Sequence, residues 1–343
     1  MGESRLWRLG LSLVLGLWAQ GAKAQDSLRV GVRVDAAPFA YKTPEGEYAG
    51  FVFELCTYAL KAARLDYTAQ DANVDRRLPG LIRVEGRPRE YDVLCDPTSI
   101  TLSRARDYVL SAPVFVSGGS FLHSGKADQA LLGEANRTLE VRPAVAVDGA
   151  RFETRSTYAL ESTPQTNVPD CTELPEGAII GARLGYVRET TGRKVIDRAW
   201  SSGAPPIHLA HFQTICAKPY PSHADAVEAL CRGDEISYHF GDRDIIDYYR
   251  RKILETDPSC DATTHDLSFT SEPYAIVISP ELDPKIARSI TAGVLEALGS
   301  GVKTENDPEQ VVALPNYLFA KYFPDRRMSE ALHQLYTVMR VPE

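Results

Sequence analysis

Apolar and polar positions alternate over residues 28–34, LRVGVRV, with the period of a half-buried strand. A loop (Ala37-Pro38-Phe39-Ala40-Tyr41) and a turn by composition at 43–47, TPEGE, come next. From Gly50 the period lengthens, and residues 50–63 carry apolar side chains at helical spacing. A strand at 66–69, a helix near 76–84 and a strand at 91–95 complete the series. A second series begins with a buried strand at 177–185 ending in Gly185, then a helix at about 189–199 and a strand near 217–220. Ser222 caps an amphipathic helix over 222–230, a turn at 232–235 leads to a strand at 236–240, and another helix starts at 241. A strand at 270–278, a long helix at 283–298 and two helical stretches in the tail to 343 finish the chain. Strands alternating with helices, twice over, imply two α/β lobes with mainly parallel sheets.

The first 27 residues read differently. Arg5 and Arg8 precede an apolar run over 9–19, and Ala22-Lys23-Ala24 is a small-x-small site. That is the pattern of a cleaved secretory signal peptide, 1–24, with an apolar run too short to span a bilayer. The whole chain carries 38 basic and 46 acidic residues, net −8, and losing three bases and one acid with the leader leaves −10. An acidic surface without basic clusters argues against nucleic acid and anionic membrane as partners. Six cysteines in an exported chain, with no C-x-x-C and no zinc-spaced His/Cys cluster, read as disulfides. No metal site or cofactor is expected.

The densest chemistry lies at 91–113, YDVLCDPTSITLSRARDYVLSAP. Val93-Leu94-Cys95 reads as a short buried strand stopped by Asp96-Pro97, and Thr98, Ser99 and Thr101 set hydroxyls ahead of Ser103-Arg104. A Ser at a helix start caps free N–H groups, and such an end suits an anion. The planar guanidinium of Arg104 grips a carboxylate through two parallel hydrogen bonds. Read alone, Arg104 is more readily a salt bridge on a surface turn than a ligand group.

With its return Val109-Leu110-Ser111-Ala112-Pro113, this stretch resembles the motif of type II periplasmic solute-binding proteins for polar amino acids, the bacterial extracellular solute-binding protein family 3. Pro38-Phe39-Ala40-Tyr41 is similar to that family's PF-x-Y loop. Gly50-Phe51-Val52-Phe53-Glu54 is similar to its GFD-x-D helix start, with Val52 in place of the first acid. SHADAVEALCRGDEISYHFGDRD, 222–244, is similar to its lobe-two helix, turn and strand, and Glu272-Pro273-Tyr274 to the returning strand. The resemblance covers about 28–125 and 177–301. It implies an α/β fold of two lobes, each a mainly parallel sheet flanked by helices, joined by a two-strand hinge. Lobe one would comprise 25–122 with 268–343, and lobe two 123–267, carrying an insertion at about 124–176 of unassigned role. The sequon Asn136-Arg137-Thr138 within it is read as incidental.

The resemblance also implies site residues. Arg104 would hold the α-carboxylate of a bound amino acid, with Ser99 and Thr98 assisting, and Asp242 would pair with the α-ammonium. Asp242 also reads as a helix N-terminal acid held by the dipole. Gly31-Val32-Arg33, Arg76-Arg77-Leu78-Pro79, Cys95-Asp96-Pro97-Thr98-Ser99 and His223-Ala224-Asp225 resemble motifs of the glutamate/aspartate-binding subgroup. There the counterparts of Arg33, Arg77 and His223 line the site. Phe39, Tyr41 and Tyr186 complete the candidates. Two departures stand out. Asp96-Pro97 replaces Gly-Ser, and Leu184-Gly185-Tyr186-Val187 stands where the subgroup has S-G-T-T, losing hydroxyls and gaining a ring. Arg33 has a plain alternative, an ion pair with Asp35 or Asp96.

The resulting expectation is a monomeric periplasmic binding protein that captures an amino acid, polar or acidic, for an inner-membrane ABC permease. Enzymes similar to cyclohexadienyl dehydratase share the fold, as does a lytic transglycosylase regulatory domain, and fold alone does not assign function. For such an enzyme Asp96 and His223 are the nominal acid and base. A ligand-sensing partner of a receptor is the third reading. Keeping each bridge within one lobe favours Cys56–Cys95, Cys171–Cys216 and Cys231–Cys260 among the 15 pairings of six cysteines.

Overall fold

The computed structural model describes residues 27–84, 86–125, 168–174, 180, 182–201, 215–265, 268–303 and 309–339. The leader, most of the 124–176 insertion with its sequon, and residues 177–181 of the strand expected at 177–185 lie outside them, Ile180 apart.

Chain order is β1 (Leu28–Val32), β2 (Asp35–Ala36), β3 (Ala40–Lys42), β4 (Tyr48–Ala49), α1 (Phe51–Ala62), β5 (Tyr67–Asp71), β6 (Val93–Ser99), α2 (Leu102–Asp107), β7 (Val109–Leu110) and β8 (Phe115–Ser117). The next group is β9 (Gly119–Ser124), β10 (Ala182–Val187), α3 (Gly192–Ser201), β11 (Ile215–Tyr220), α4 (His223–Arg232), β12 (Tyr238–Asp242), α5 (Arg243–Thr256) and β13 (Ala262–Thr264). The chain ends with β14 (Glu272–Ile278), α6 (Pro284–Gly299), β15 (Gly301–Lys303), β16 (Val311–Ala313), α7 (Leu314–Tyr322) and α8 (Glu330–Val338).

Two sheets result. The first runs β5-β1-β6-β14-β7, with β8 also on β14, and the second runs β11-β10-β12-β9-β13. In each, three strands pair in parallel, linked by two helices in the second sheet and by α1 and a 3₁₀ turn in the first, and a strand adjoining the crossover pairs antiparallel beside them. This is the two-lobed type II arrangement. The crossover out falls at Gly118, because Gly119 to Leu122 already pair with β12. The crossover back lies beside it, tied by Gly119 N–H to Thr270 Oγ1 at 2.7 Å and Phe269 N–H to the Gly119 carbonyl at 2.8 Å.

Helix α1 buries Phe51, Val52, Leu55, Cys56, Ala59 and Leu60. Helix α6 lies against it, and a Cβ on Gly293 would come within 2.3 Å of the Ala59 carbonyl oxygen, so only glycine permits this approach. Around them Phe39, Phe51, Phe115, Tyr274, Phe319 and Phe323 form a ring cluster, with Phe39 and Phe115 centroids 4.8 Å apart.

Two expectations change. The helix expected at 76–84 is a single 3₁₀ turn, Pro79–Leu81, where Pro79 offers no N–H and Gly80 packs against the Tyr91 ring. β6 does not stop at Asp96-Pro97 but runs on to Ser99. Its partner β14 shifts register between Ala275 and Val277 opposite that point, which accommodates a residue that cannot donate. The tail is part of the core of lobe one, since α7 and α8 bury Leu314, Leu318, Phe319, Leu332 and Tyr336 there.

Cys56–Cys95 joins α1 to β6, Cys171–Cys216 reaches β11, and Cys231–Cys260 links the end of α4 to the turn after α5. These are the three pairs expected from the sequence, and none crosses between sheets. Replacing Cys56 and Cys95 together by Ala should lower stability by roughly 2–5 kcal/mol, since a 39-residue separation is freed in the unfolded chain. Urea unfolding of native and variant protein measures it, and peptide mapping without reduction should recover only within-lobe pairs.

Candidate ligand-binding cleft

The ends of β6 and β12, with the segment that follows β10, line a cleft. One wall carries Arg33, Arg77, Ser99 and Arg104, the other Thr190, Thr191, Gly192, His223 and Asp242, and Glu272 and Tyr274 of β14 close the back.

Thr101 caps α2 by accepting the Arg104 N–H at 3.2 Å, which sets Arg104 on the first turn. The guanidinium donates from Nη1 to the Ser99 carbonyl at 2.8 Å and makes no ion pair among the described residues. Burial, with Arg77 nearby, pushes it down to about 10. Its neighbours are differently placed. Arg77, buried, donates from Nη1 to Asp96 at 2.9 Å and to Thr98 Oγ1 at 2.6 Å, while the Thr98 hydroxyl bonds Asp96 in turn. Arg33 donates through Nε to Asp35 at 2.6 Å and through Nη2 at 3.3 Å. Two of the three cations therefore arrive with their own carboxylates.

On the opposite wall Asp242 caps α5, Oδ1 accepting the N–H groups of Asp244 at 2.9 Å and Ile245 at 3.1 Å. Its Oδ2 accepts from the Tyr274 hydroxyl. The protein crowded around this carboxyl, helped by the charge of Glu272, pushes it up to about 6. Glu272 spans the seam: Oε2 accepts from Ser99 Oγ at 2.5 Å and from Thr191 Oγ1 at 2.9 Å. His223 opens α4 and approaches His239 behind it at 3.1 Å.

The structure brings Arg104, Ser99, Arg33, Arg77, His223 and Asp242 together, and sets the other four candidates elsewhere. Phe39 is wholly buried in the ring cluster of lobe one. Tyr41 sits on β3 with its ring 6.2 Å from Tyr248. Thr98 is buried behind the wall as a partner of Arg77. Tyr186 lies within the lobe-two core, covered by Arg193 at 5.6 Å, and does not shorten the cleft.

The apparent loss of hydroxyls at 184–187 also needs correcting. Those residues are interior strand, and Thr190-Thr191-Gly192 at the start of α3 supply hydroxyls to the cleft. Placing the strand end at Gly185 hid them. Glu272 was visible only as part of a returning strand, and His239 as a core position; neither carries a local pattern that points at a cleft. Asp96, named above as a nominal acid, is fully buried and held by Arg77 and Thr98.

The model of the bacterial extracellular solute-binding proteins, family 3, matches residues 28–321. No curated protein sequence matches. Among solved structures, the arginine-, lysine-, histidine-binding protein ArtJ of Geobacillus stearothermophilus superposes with a TM-score of 0.57 at 17% identity, over 90% of this chain and 100% of that one. A putative ABC transporter binding component of Wolinella succinogenes, complexed with lysine, gives 0.54 at 16% over 87% and 96%. An ancestral amino acid-binding protein, a precursor of cyclohexadienyl dehydratase, gives 0.53 at 17% over 87% and 95%. At such identities the superpositions speak for the fold. The sequence match, running from β1 almost to the end of α7, makes the chain a member of the bacterial extracellular solute-binding proteins, family 3.

Proposed function

We propose that this protein works in the periplasm, behind a cleaved leader, and captures one free amino acid between its lobes for delivery to an inner-membrane ABC importer. The observation that carries this reading is the opposition of Arg104 and Asp242 across one cleft. Arg104 is a half-buried guanidinium whose only hydrogen-bond partner among the described residues is a carbonyl, so it suits an α-carboxylate. Asp242 and Glu272 offer carboxylate oxygens to an α-ammonium. A zwitterion satisfies both walls at once, and so holds them together.

The side-chain end of the cleft is polar and electrically balanced, because Arg33 and Arg77 already face Asp35 and Asp96. This favours a short polar side chain, uncharged more than acidic, and disfavours aliphatic and basic ones. The protein would act as a monomer. Calorimetry of ligand-free protein against the free amino acids tests the reading, with prephenate and arogenate included to detect turnover; binding of no amino acid, or tight binding of lysine or arginine, overturns it.

Arg104→Ala and Asp242→Ala should each weaken binding by roughly 2–5 kcal/mol, because the partner charge on the ligand is left buried and unpaired. Affinity should also fall as pH is lowered through about 6, where Asp242 takes up a proton and stops pairing with the ammonium; Asp242→Asn should flatten that limb. Arg33→Ala should hurt aspartate or glutamate more than asparagine or glutamine if its guanidinium meets the ligand. Equal losses would make Arg33 a structural partner of Asp35.

A further inference from the structure

Two histidines stand in line behind the lobe-two wall. His239 on β12 is fully buried, with Nδ1 3.1 Å from the Gly185 carbonyl oxygen and Nε2 3.1 Å from His223 Nδ1. A carbonyl oxygen only accepts, so His239 must carry its proton on Nδ1. A neutral His239 then has a bare Nε2, which only accepts, so His223 must carry its proton on Nδ1 as well. What remains is His223 Nε2, a bare acceptor. It makes no hydrogen bond among the described residues, it is not sealed from solvent, and His223 lines the cleft. Gly241 leaves room for the ring, since a Cβ there would come within 2.7 Å of Cε1.

Both rings are kept neutral by burial, which pushes His239 down to about 4 and His223 well below its usual value, with His239 and Arg33 adding to the latter. The charged groups around His223 are Arg33 with Asp35 and Arg77 with Asp96 from lobe one, Arg104 on the same wall as these, and Asp242 and Glu272 beyond Gly241; Asp225 on its own helix is turned to the surface.

We propose that His239 acts as a positioning residue that locks His223 in the Nδ1–H tautomer, so that the cleft selects amino acids whose side chains donate a hydrogen bond. This rests on the amino acid reading given above. An amide or hydroxyl side chain donates directly to Nε2. A side-chain carboxylate brings lone pair against lone pair, and binds only with one proton taken from solution and shared between Nε2 and the carboxylate oxygen. Asparagine, glutamine, serine or threonine would therefore bind without proton uptake, and aspartate or glutamate with it.

Two measurements test this. Long-range ¹H–¹⁵N spectra of the free protein at neutral pH, with signals assigned through His223→Gln, should show both rings neutral with the proton on Nδ1. A proton on Nε2 of either ring, or an imidazolium, overturns the lock without reference to any ligand. Calorimetry in two buffers of different ionisation enthalpy should give about one proton taken up per acidic ligand and none per amide. His239→Phe, checked for folding by the dispersion of the same spectra, should abolish that difference and raise the acid-to-amide affinity ratio. Equal uptake for acid and amide overturns the selectivity. If no amino acid binds, the selectivity falls together with the amino acid reading, while the spectra still decide the tautomer.

Discussion

Charge taken out of water at the seam between two lobes must meet opposite charge or hydrogen bonds, since an unpaired buried ion costs several kcal/mol. The rest of the cleft follows from that constraint. Arg77 draws in Asp96 and Thr98, and those draw β6 past Pro97 to a point where its partner strand must slip register. Glu272 takes hydroxyls from both walls. Asp242 spends one oxygen on the start of α5 and the other on Tyr274. Among the described residues of the cleft, the Arg104 guanidinium has only a carbonyl for company, and this leaves one cation there without a carboxylate of its own.

The lobes were legible in the sequence because their signal is local and periodic. Strand and helix patterns at 28–63 and 222–240, the cap at Ser222 and the long helix from 283 each depend on a few neighbouring residues, and the structure keeps them. Arg104 and Asp242 were legible for another reason: each sits at a strand end followed by a helix start, a place where chemistry and punctuation coincide. Phe39 and Tyr186 misled because an aromatic ring near a motif reads alike whether it faces ligand or core, and only packing distinguishes the two. Thr190, Thr191, Glu272 and His239 were hidden for the opposite reason. Their roles come from partners far away in sequence, such as Ser99 for Glu272 and Gly185 for His239.

The tail lies past the stretch to 301 that the family motifs cover, yet its Leu314, Leu318, Phe319 and Phe323 close the ring cluster of lobe one. The Tyr336 hydroxyl then reaches the Val114 carbonyl at 3.0 Å, beside the strand that leads out of lobe one.

That same tail touches the other lobe. Arg326 pairs with the buried Asp244, and Asp325 meets Arg251 at 3.3 Å, both on α5. Rotation of lobe two away from lobe one stretches these contacts along with the cleft. Parting the lobes therefore breaks these two charge contacts as well as the hydrogen bonds across the cleft, so the tail takes a share in setting how readily the walls separate.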